Sequence, residues 1–370
     1  MDSSKHALSI YIDFSKAFDT VPHNLLLEKL DHYGIRNNLL KWFSSYLSNR
    51  SQQTIIENCT SESLKNNLGV PQGSVLGPIL FLLFINDLPN ISRLLHTILF
   101  ADDATLTVIA NNHKQLLETA NSELFKFYNW CLANRLSMNI SKTFYMIFSN
   151  KKFTEPVPLL LKSGHSYDVI KRVVNTIFLG IYFDDSMNFK SHITYLSQKL
   201  ARIAALIYQV RDLMPFFVLK NMYYAHAQSL LSYCNLIWCN TNQSTLKPLV
   251  IIQKRLIRII TNSDFLAHTL PLFQRTKILN LDKLRKLSLG IHCFKNINNL
   301  NYLQGQHNYH TRNRALLRPI IHRTTKFEKS FIYQAPLIWN EITVNYPIII
   351  NTTSIDVFKR RYKRVLLNFD

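Results

Sequence analysis

The stretch ILFADDATL, residues 98–106, sets two adjacent carboxylates, Asp102 and Asp103, between the apolar runs Ile98–Phe100 and Ala104–Leu106. Its flanks read as two short strands, which makes the acids the tip of a hairpin. A solvated turn is usually more polar around its acids. The question is what holds two like charges at the end of an apolar ribbon, and what compensates them.

A third acid stands at a comparable place. In ALSIYIDFSKAF, residues 7–18, Leu8, Ile10, Ile12 and Phe14 alternate with Ser9, Tyr11 and Asp13. Period-2 alternation is the mark of a half-buried strand, so Asp13 projects from the face opposite the apolar one. The segment DTVPHNLLLEKLDHYGI reads next as a helix. Asp19 or Thr20 is placed to cap it, Pro22 falls in its first turn, and Gly34 ends it. NNLLKWFSSYLSN reads as a second helix, QQTIIENCTSESLKNNLGV as a short strand pair with a polar turn, and PQGS as a loop. VLGPILFLLFINDL reads as an apolar helix, followed by the acidic hairpin over 97–109. NHKQLLETANSELFKFYNWCLANR is a long helix with Leu116, Leu117, Leu124, Phe127 and Cys131 near helical spacing. KTFYMIFS is a strand, and VVNTIFLGIYFD is another hairpin.

This order predicts an α+β fold, a mixed sheet with helices on one face in a split βαβ arrangement. In that layout the Asp13 strand and the acidic hairpin become neighbours. Beyond residue 186 the pattern turns mainly helical, as in LSQKLARIAALIYQV and LVIIQKRLIRII. The expected division is 1–185, 186–260 and 261–370.

The net charge of +20 is unevenly spread. Residues 1–185 hold 17 Lys+Arg against 16 Asp+Glu, a balance of +1, and residues 186–370 hold 26 against 7, a balance of +19. A charge confined to one half and recurring through several predicted helices points to a polyanionic partner. Lys254, Arg255 and Arg258 would leave a basic face free while Ile252, Leu256 and Ile259 face a core. Arg312, Arg314, Arg318 and Arg323 form a second basic cluster. The five scattered cysteines fit neither a disulfide framework nor a zinc finger. The N-terminal residues carry no signal-peptide pattern, and the longest apolar run, VLGPILFLLFI, is too short to span a bilayer. An intracellular protein, nuclear or cytoplasmic, is the expectation.

Three carboxylates gathered at the ends of adjacent strands repel one another unless a cation neutralises them. Oxygen ligands suit Mg²⁺. Two such ions about 4 Å apart clamp the attacking and leaving oxygens of a phosphoryl transfer. Asp13, Asp102 and Asp103 thus read as a two-metal site, against the plainer reading of a surface Asp-Asp pair.

YIDFSKAFDTVPH, GVPQGSVLGP, FADD and LSMNISKTFYMIF occur in this order and together resemble the reverse transcriptase of non-LTR (LINE-type) retrotransposons, of the jockey and CR1 groups. FLGIYFDDSMNF resembles the segment that follows in that family, and IQKRLIRII and KSFIYQAPLIWNEI resemble its C-terminal part. The resemblance implies a polymerase palm over 1–185, a thumb-like helical region over 186–260 and a basic helical region over 261–370. It implies a two-metal, RNA-directed DNA polymerase with an RNA template, a DNA primer and dNTPs as partners, using Mg²⁺ or, in substitution, Mn²⁺.

By matching position, Asp13 and Asp102 would be metal ligands, with Asp103 in support and the backbone carbonyl of Phe14 completing the shell. Phe18 would lie under the sugar and exclude a 2′-hydroxyl; a core aromatic fits it equally. Pro71, Gln72, Gly73 and Ser74 would shape the floor beneath template and incoming base, or serve only as a helix-entry turn. Lys142 would protonate the leaving pyrophosphate, or be a solvated strand-end lysine. Leu179 and Gly180 would grip the primer end, or form an ordinary hairpin.

One departure stands out. In the family a fingers region precedes the strand bearing the first Asp, and many members carry an endonuclease further upstream. Here Met1 lies a dozen residues before Asp13. The expectation is an N-terminally truncated chain, inactive by itself for lack of fingers. The competing expectation is a non-catalytic, nucleic-acid-binding remnant. A group II intron maturase is a weaker third option, which GVPQGSVLGP and LIWNEI argue against.

Overall fold

The computed structural model describes residues 5–149, 158–163, 166–297 and 316–368. The chain forms two compact units, the first closing at Asn175 and the second running from Thr176 to Asp370.

The first unit is organised by β1 (His6–Ile12). Leu8, Ile10, Ile12 and Phe14 are all buried, as their alternation predicts. Around β1 stand β6 (His96–Phe100), β7 (Asp103–Ala110), β8 (Phe144–Phe148), β9 (Leu159–Ser163) and β10 (Ser166–Arg172). Their order in the sheet is β6-β7-β1-β8-β10-β9. β1 pairs antiparallel with β7 and with β8, whereas β10 runs parallel to β8. The chain passes from β7 through helix α4 (His113–Ala133) to β8, leaving β1 between the two strands. This is the expected split βαβ in a mixed sheet.

Leu116, Leu117, Leu124, Phe127 and Cys131 of α4 are buried in the same apolar cluster as β1. Helices α1 (His23–His32), α2 (Asn37–Leu47) and α3 (Leu76–Ile85) complete the unit. Between α2 and α3 lie two nested short ribbons, β2 (Arg50–Gln52) with β5 (Leu64–Asn66) and β3 (Ile55–Ile56) with β4 (Cys59–Thr60).

One polar hub ties three helices together. Lys29 on α1 donates at 2.7 Å to the Phe84 carbonyl and at 2.7 Å to Asp87 just past α3. The indole of Trp130 on α4 donates to the other oxygen of Asp87 at 3.3 Å. Burial lowers the Lys29 pKa, and the Asp87 carboxylate pushes back the other way.

Two sequence expectations need correcting. Neither Asp19 nor Thr20 caps α1; Pro22 occupies the position directly before it and no side chain bonds its first amides. Asp19 instead accepts from Gln72, and the Thr20 hydroxyl donates to the Lys16 and Ala17 carbonyls. The β9–β10 hairpin was not expected at all. Gly34 does end α1, at φ 90°.

The second unit begins with hairpin strands β11 (Asn175–Phe178) and β12 (Ile181–Asp184) and is otherwise helical. Its longer helices are α5 (Lys190–Val210), α6 (Phe216–Met222), α7 (Gln243–Ile260), α8 (Thr269–Thr276), α9 (Leu281–Lys295), α10 (Phe331–Asn345) and α11 (Ile355–Asn368). A single apolar cluster runs through them from Ile181 to Leu366. A π-helical segment, Tyr223–Gln228, extends α6. Gln253 of α7 is buried with all its polar atoms engaged. Its amide donates to the Tyr223 hydroxyl and the Leu279 carbonyl, and its oxygen accepts from the Leu281 amide. The hydrogen bonds of a buried amide satisfied this way offset the cost of its desolvation. Among the described residues, no helix is long and apolar enough to cross a membrane.

Gly290 on α9 lies against α11. A Cβ there would sit 2.6 Å from the buried ring of Tyr362. Gly290→Ala is therefore expected to destabilise the second unit by about 1–3 kcal/mol, the usual range for overpacking a dense core. Chemical denaturation followed by circular dichroism checks this; an unchanged midpoint would show that α11 gives way freely.

Candidate active site

The acids lie where three strand ends meet. β6 and β7 pair with Phe100 opposite Asp103, leaving Ala101 and Asp102 as a two-residue turn. Ala101 takes φ 51°, the left-handed region that costs an alanine conformational energy. The acids are thus the tip of a hairpin, as expected. The ribbon is less buried than its composition suggests, since Ile98 and Phe100 are exposed on β6.

β1 meets β7 with Ile12 opposite Ala104. One step further along the same register brings Asp13 alongside Asp103. The loop before β8 holds that strand end. The Asn139 amide donates to the Asp13 carbonyl at 2.8 Å, the Ser15 amide to the Ser137 carbonyl at 2.8 Å, and Phe14 bridges Met138. Buried Thr143 receives the Asp13 amide at 3.5 Å and donates to the Asn139 carbonyl at 2.8 Å. Thr143 and Asn139 escaped the sequence reading; their place in the segment around Lys142 was the available signal.

The electrostatics follow. Asp103 has its pKa raised, by burial first and then by the charges of Asp102 and Asp13. Lys142 is the nearest counter-charge, its Nζ 3.8 Å from Asp13. Lys142 is exposed and Asp13 only partly buried, so solvent screens the pair and it contributes little stability. Oxygen donors of this kind suit a hard divalent cation, and the field that raises Asp103 is one such a cation would relieve. Among the described residues, however, no three His, Cys, Asp or Glu side chains stand together as a ready metal cage. The acids share one end of the sheet, and Asp103 feels the charges of both Asp102 and Asp13.

The loop Pro71–Ser74 is fixed beside the turn after β1. The Gln72 amide donates to Asp19 at 2.7 Å, the Val70 amide to the Phe18 carbonyl at 2.8 Å, and the His23 ring lies 2.8 Å from the Gly69 carbonyl. Ser74 donates to the Pro71 carbonyl and accepts from the Gly77 amide, a cap at the entry of α3. A Cβ on Gly77 would meet the Pro71 carbonyl at 2.4 Å, so only glycine lets the loop fold this closely onto the helix. Gly73 takes φ 78°. The Phe18 ring lies 4.6 Å from that of buried Phe81 on α3 and is half-buried.

In the second unit, Leu179 and Gly180 both have positive φ and form the β11–β12 turn. The Tyr233 hydroxyl donates to the Leu179 carbonyl at 2.7 Å. Asp184, in the family-like segment that follows, spends its carboxylate on Ser186, Asn188 and Phe189 of the next turn. Lys254 and Arg255 are exposed on α7, with Leu256 and Ile259 buried on its other side. Arg258 is committed to the Ala267 carbonyl at 2.9 Å. Arg318 and Arg323 are exposed, and Arg312 and Arg314 lie outside the described residues.

Comparison with known proteins adds a family. Residues 1–200 match the family model described as reverse transcriptase (RNA-dependent DNA polymerase). The chain is 26% identical over 305 residues to the probable RNA-directed DNA polymerase from transposon X-element of Drosophila melanogaster, covering 79% of this chain and 32% of that one. It is 26% identical over 300 residues to the RNA-directed DNA polymerase from mobile element jockey of the same organism, covering 78% and 32%. The chain therefore spans about a third of the length of these curated relatives. Among solved structures, telomerase from Candida albicans in complex with a fragment of telomeric RNA aligns with 98% of this chain and 50% of that one, at 12% identity and a TM-score of 0.38.

The raised pKa of Asp103 has a measurable sign. The folded chain binds this proton more tightly than the unfolded chain does. The contribution to stability is complete below the ordinary carboxylate value of 3.8 and is lost as pH rises through the raised one. Asp103→Asn is expected to gain stability over the parent at pH 7 and little or nothing below pH 4. Denaturation midpoints of both chains at the two pH values measure it; a gain independent of pH would rule out the electrostatic cause.

Proposed function

The chain belongs to the reverse transcriptase family, in its non-LTR retrotransposon branch, and from that premise we propose that it carries the catalytic centre of an RNA-directed DNA polymerase. The reaction would join a dNTP to a primer 3′-hydroxyl on an RNA template. The observation that supports this most is the electrostatic coupling of Asp103 with Asp102 and Asp13 at the ends of neighbouring strands.

Asp13 and Asp102 would hold two Mg²⁺ ions, replaceable by Mn²⁺, with the Phe14 carbonyl completing the shell and Asp103 supporting it. When bound, such ions supply charge stabilisation for a phosphoryl transfer. The side chains do the rest. Lys142, beside Asp13, would donate a proton to the departing pyrophosphate. Phe18, braced by Phe81, would set the size limit at the sugar. Pro71, Gln72, Gly73 and Ser74 would form the floor under template and incoming base, their rigidity supported by the Gln72–Asp19 bond. Leu179 and Gly180 would meet the primer end. In this reading residues 1–185 are the palm, 186–260 a thumb-like region and 261–370 a basic helical region. Lys254, Arg255, Arg318 and Arg323 would contribute phosphate contacts, with Arg312 and Arg314 in the same cluster as the last two, whereas Arg258 is held by the Ala267 carbonyl.

The test is templated dNTP incorporation on a primed RNA with Mg²⁺, run beside Mn²⁺ titration calorimetry. Asp13→Asn and Asp102→Asn are each expected to lower incorporation roughly a hundredfold or more and to weaken Mn²⁺ binding, since these groups are proposed as ligands themselves. Mn²⁺ binding by Asp102→Asn at the parent affinity would overturn the assignment.

A sugar-selection measurement checks Phe18 separately. Phe18→Val is expected to bring ribonucleotide use towards deoxynucleotide use. An unchanged preference would leave Phe18 as a packing residue of α3.

A further inference from the structure

In the second unit three lysines from two distant stretches of sequence are brought to one place. Lys220 lies near the end of α6, and Lys359 and Lys363 lie one turn apart on α11. The ring of Tyr224 joins two of them, with Lys363 Nζ 5.4 Å and Lys220 Nζ 6.0 Å from its centre, and Lys359 is close enough to Lys363 for their charges to interact. Lys220 also stands 5.9 Å from the ring of Phe216. Among the described residues none of the three lysines forms an ion pair within 4.0 Å.

The arrangement is costly by itself. The Lys363 pKa is lowered by burial first and then by Lys220 and Lys359, so the ammonium groups feel one another. A tyrosine face offsets part of that repulsion but supplies no countercharge. Packing does not require the cluster. On α11, Phe358, Tyr362 and Leu366 provide the buried stripe, and the lysines lie beside it. On α6, the helix that carries Lys220, the rings of Phe216 and Phe217 are 44% and 65% exposed, although phenylalanine is usually buried.

We infer that Lys220, Lys359 and Lys363, with the exposed rings of Phe216 and Phe217, form a binding site for single-stranded nucleic acid. The ammonium groups take successive phosphates, and an unpaired base stacks on a ring. Exposed rings next to fixed cations are what a single strand offers a use for, because bases in a duplex are already stacked. The site deepens the nucleic-acid reading of the basic half, resting on it for the class of ligand. It uses residues on other helices than Lys254 and Arg255.

The experiment uses the full chain and a fluorescein-labelled 20-nucleotide single strand, as RNA and as DNA, in anisotropy titrations over a range of salt. The triple variant Lys220→Gln, Lys359→Gln, Lys363→Gln should lose affinity about tenfold or more. Its log–log salt slope should be shallower by roughly 2, at about 0.7 per lost contact. The corresponding triple Arg variant should bind like the parent, which excludes misfolding as the cause. Phe217→Ala should weaken single strands about tenfold and a duplex of the same sequence little. If the triple Gln variant binds like the parent while Lys254→Gln with Arg255→Gln does not, this site is wrong and the broader reading stands. If the parent chain binds no oligonucleotide, both fall. If polyglutamate competes as well as the oligonucleotide, the site is a general polyanion surface and the inference is overturned.

Discussion

The pairing of β1 with β7, Ile12 opposite Ala104, is the constraint from which the arrangement of the acids follows. Side chains alternate along a strand, so a slip of one residue would move Asp13 to the other face and send Leu8, Ile10 and Ile12 to the wrong side. The register is secured on both faces. The apolar set is buried against α4, and on the opposite face the Ser9 and Thr107 hydroxyls meet at 2.8 Å. A strand so held can place like charges next to one another, which the acids themselves would resist. The loop from Ser137 to Thr143 then fastens the strand's end, where no sheet partner continues the ladder.

Much of this was legible in sequence because it depends on local period. Alternation in residues 7–14 and helical spacing in 113–133 identified β1, α4 and their buried faces. The Asp pair between apolar runs identified the hairpin. What escaped depends on competition for partners. Asp19 is a good capping residue by type, but Gln72, 53 positions away, takes its carboxylate. The β9–β10 hairpin mixes Lys162, Ser163 and Asp168 into short apolar runs, which blurs the alternation of strands at the sheet's far side. The ribbon around the acids reads as buried from composition, yet β6 has no strand on its outer side in the described sheet, so Ile98 and Phe100 remain exposed. Composition predicts what would prefer burial, and topology decides what receives it.

The basic half shows the same division. The charge asymmetry was plain in sequence, and so was the amphipathic pattern of α7. Which basic residues are already employed was not. Arg258 is spent on the Ala267 carbonyl, and Arg285 on Asn240 and the Lys329 carbonyl. The lysines near Tyr224 could not be grouped from sequence, because Lys220 and Lys363 are 143 positions apart and meet only through the packing of the unit.

The exposed outer edge of β6 has a practical side. A strand with unpaired backbone groups and apolar side chains is a template for another chain of the same kind. His96–Phe100 carries no lysine, proline or bulge to discourage such pairing. A preparation of this chain at high concentration is therefore exposed to self-association through that strand. A lysine in place of the exposed Ile98 is the economical remedy, since it adds charge at the surface of that strand.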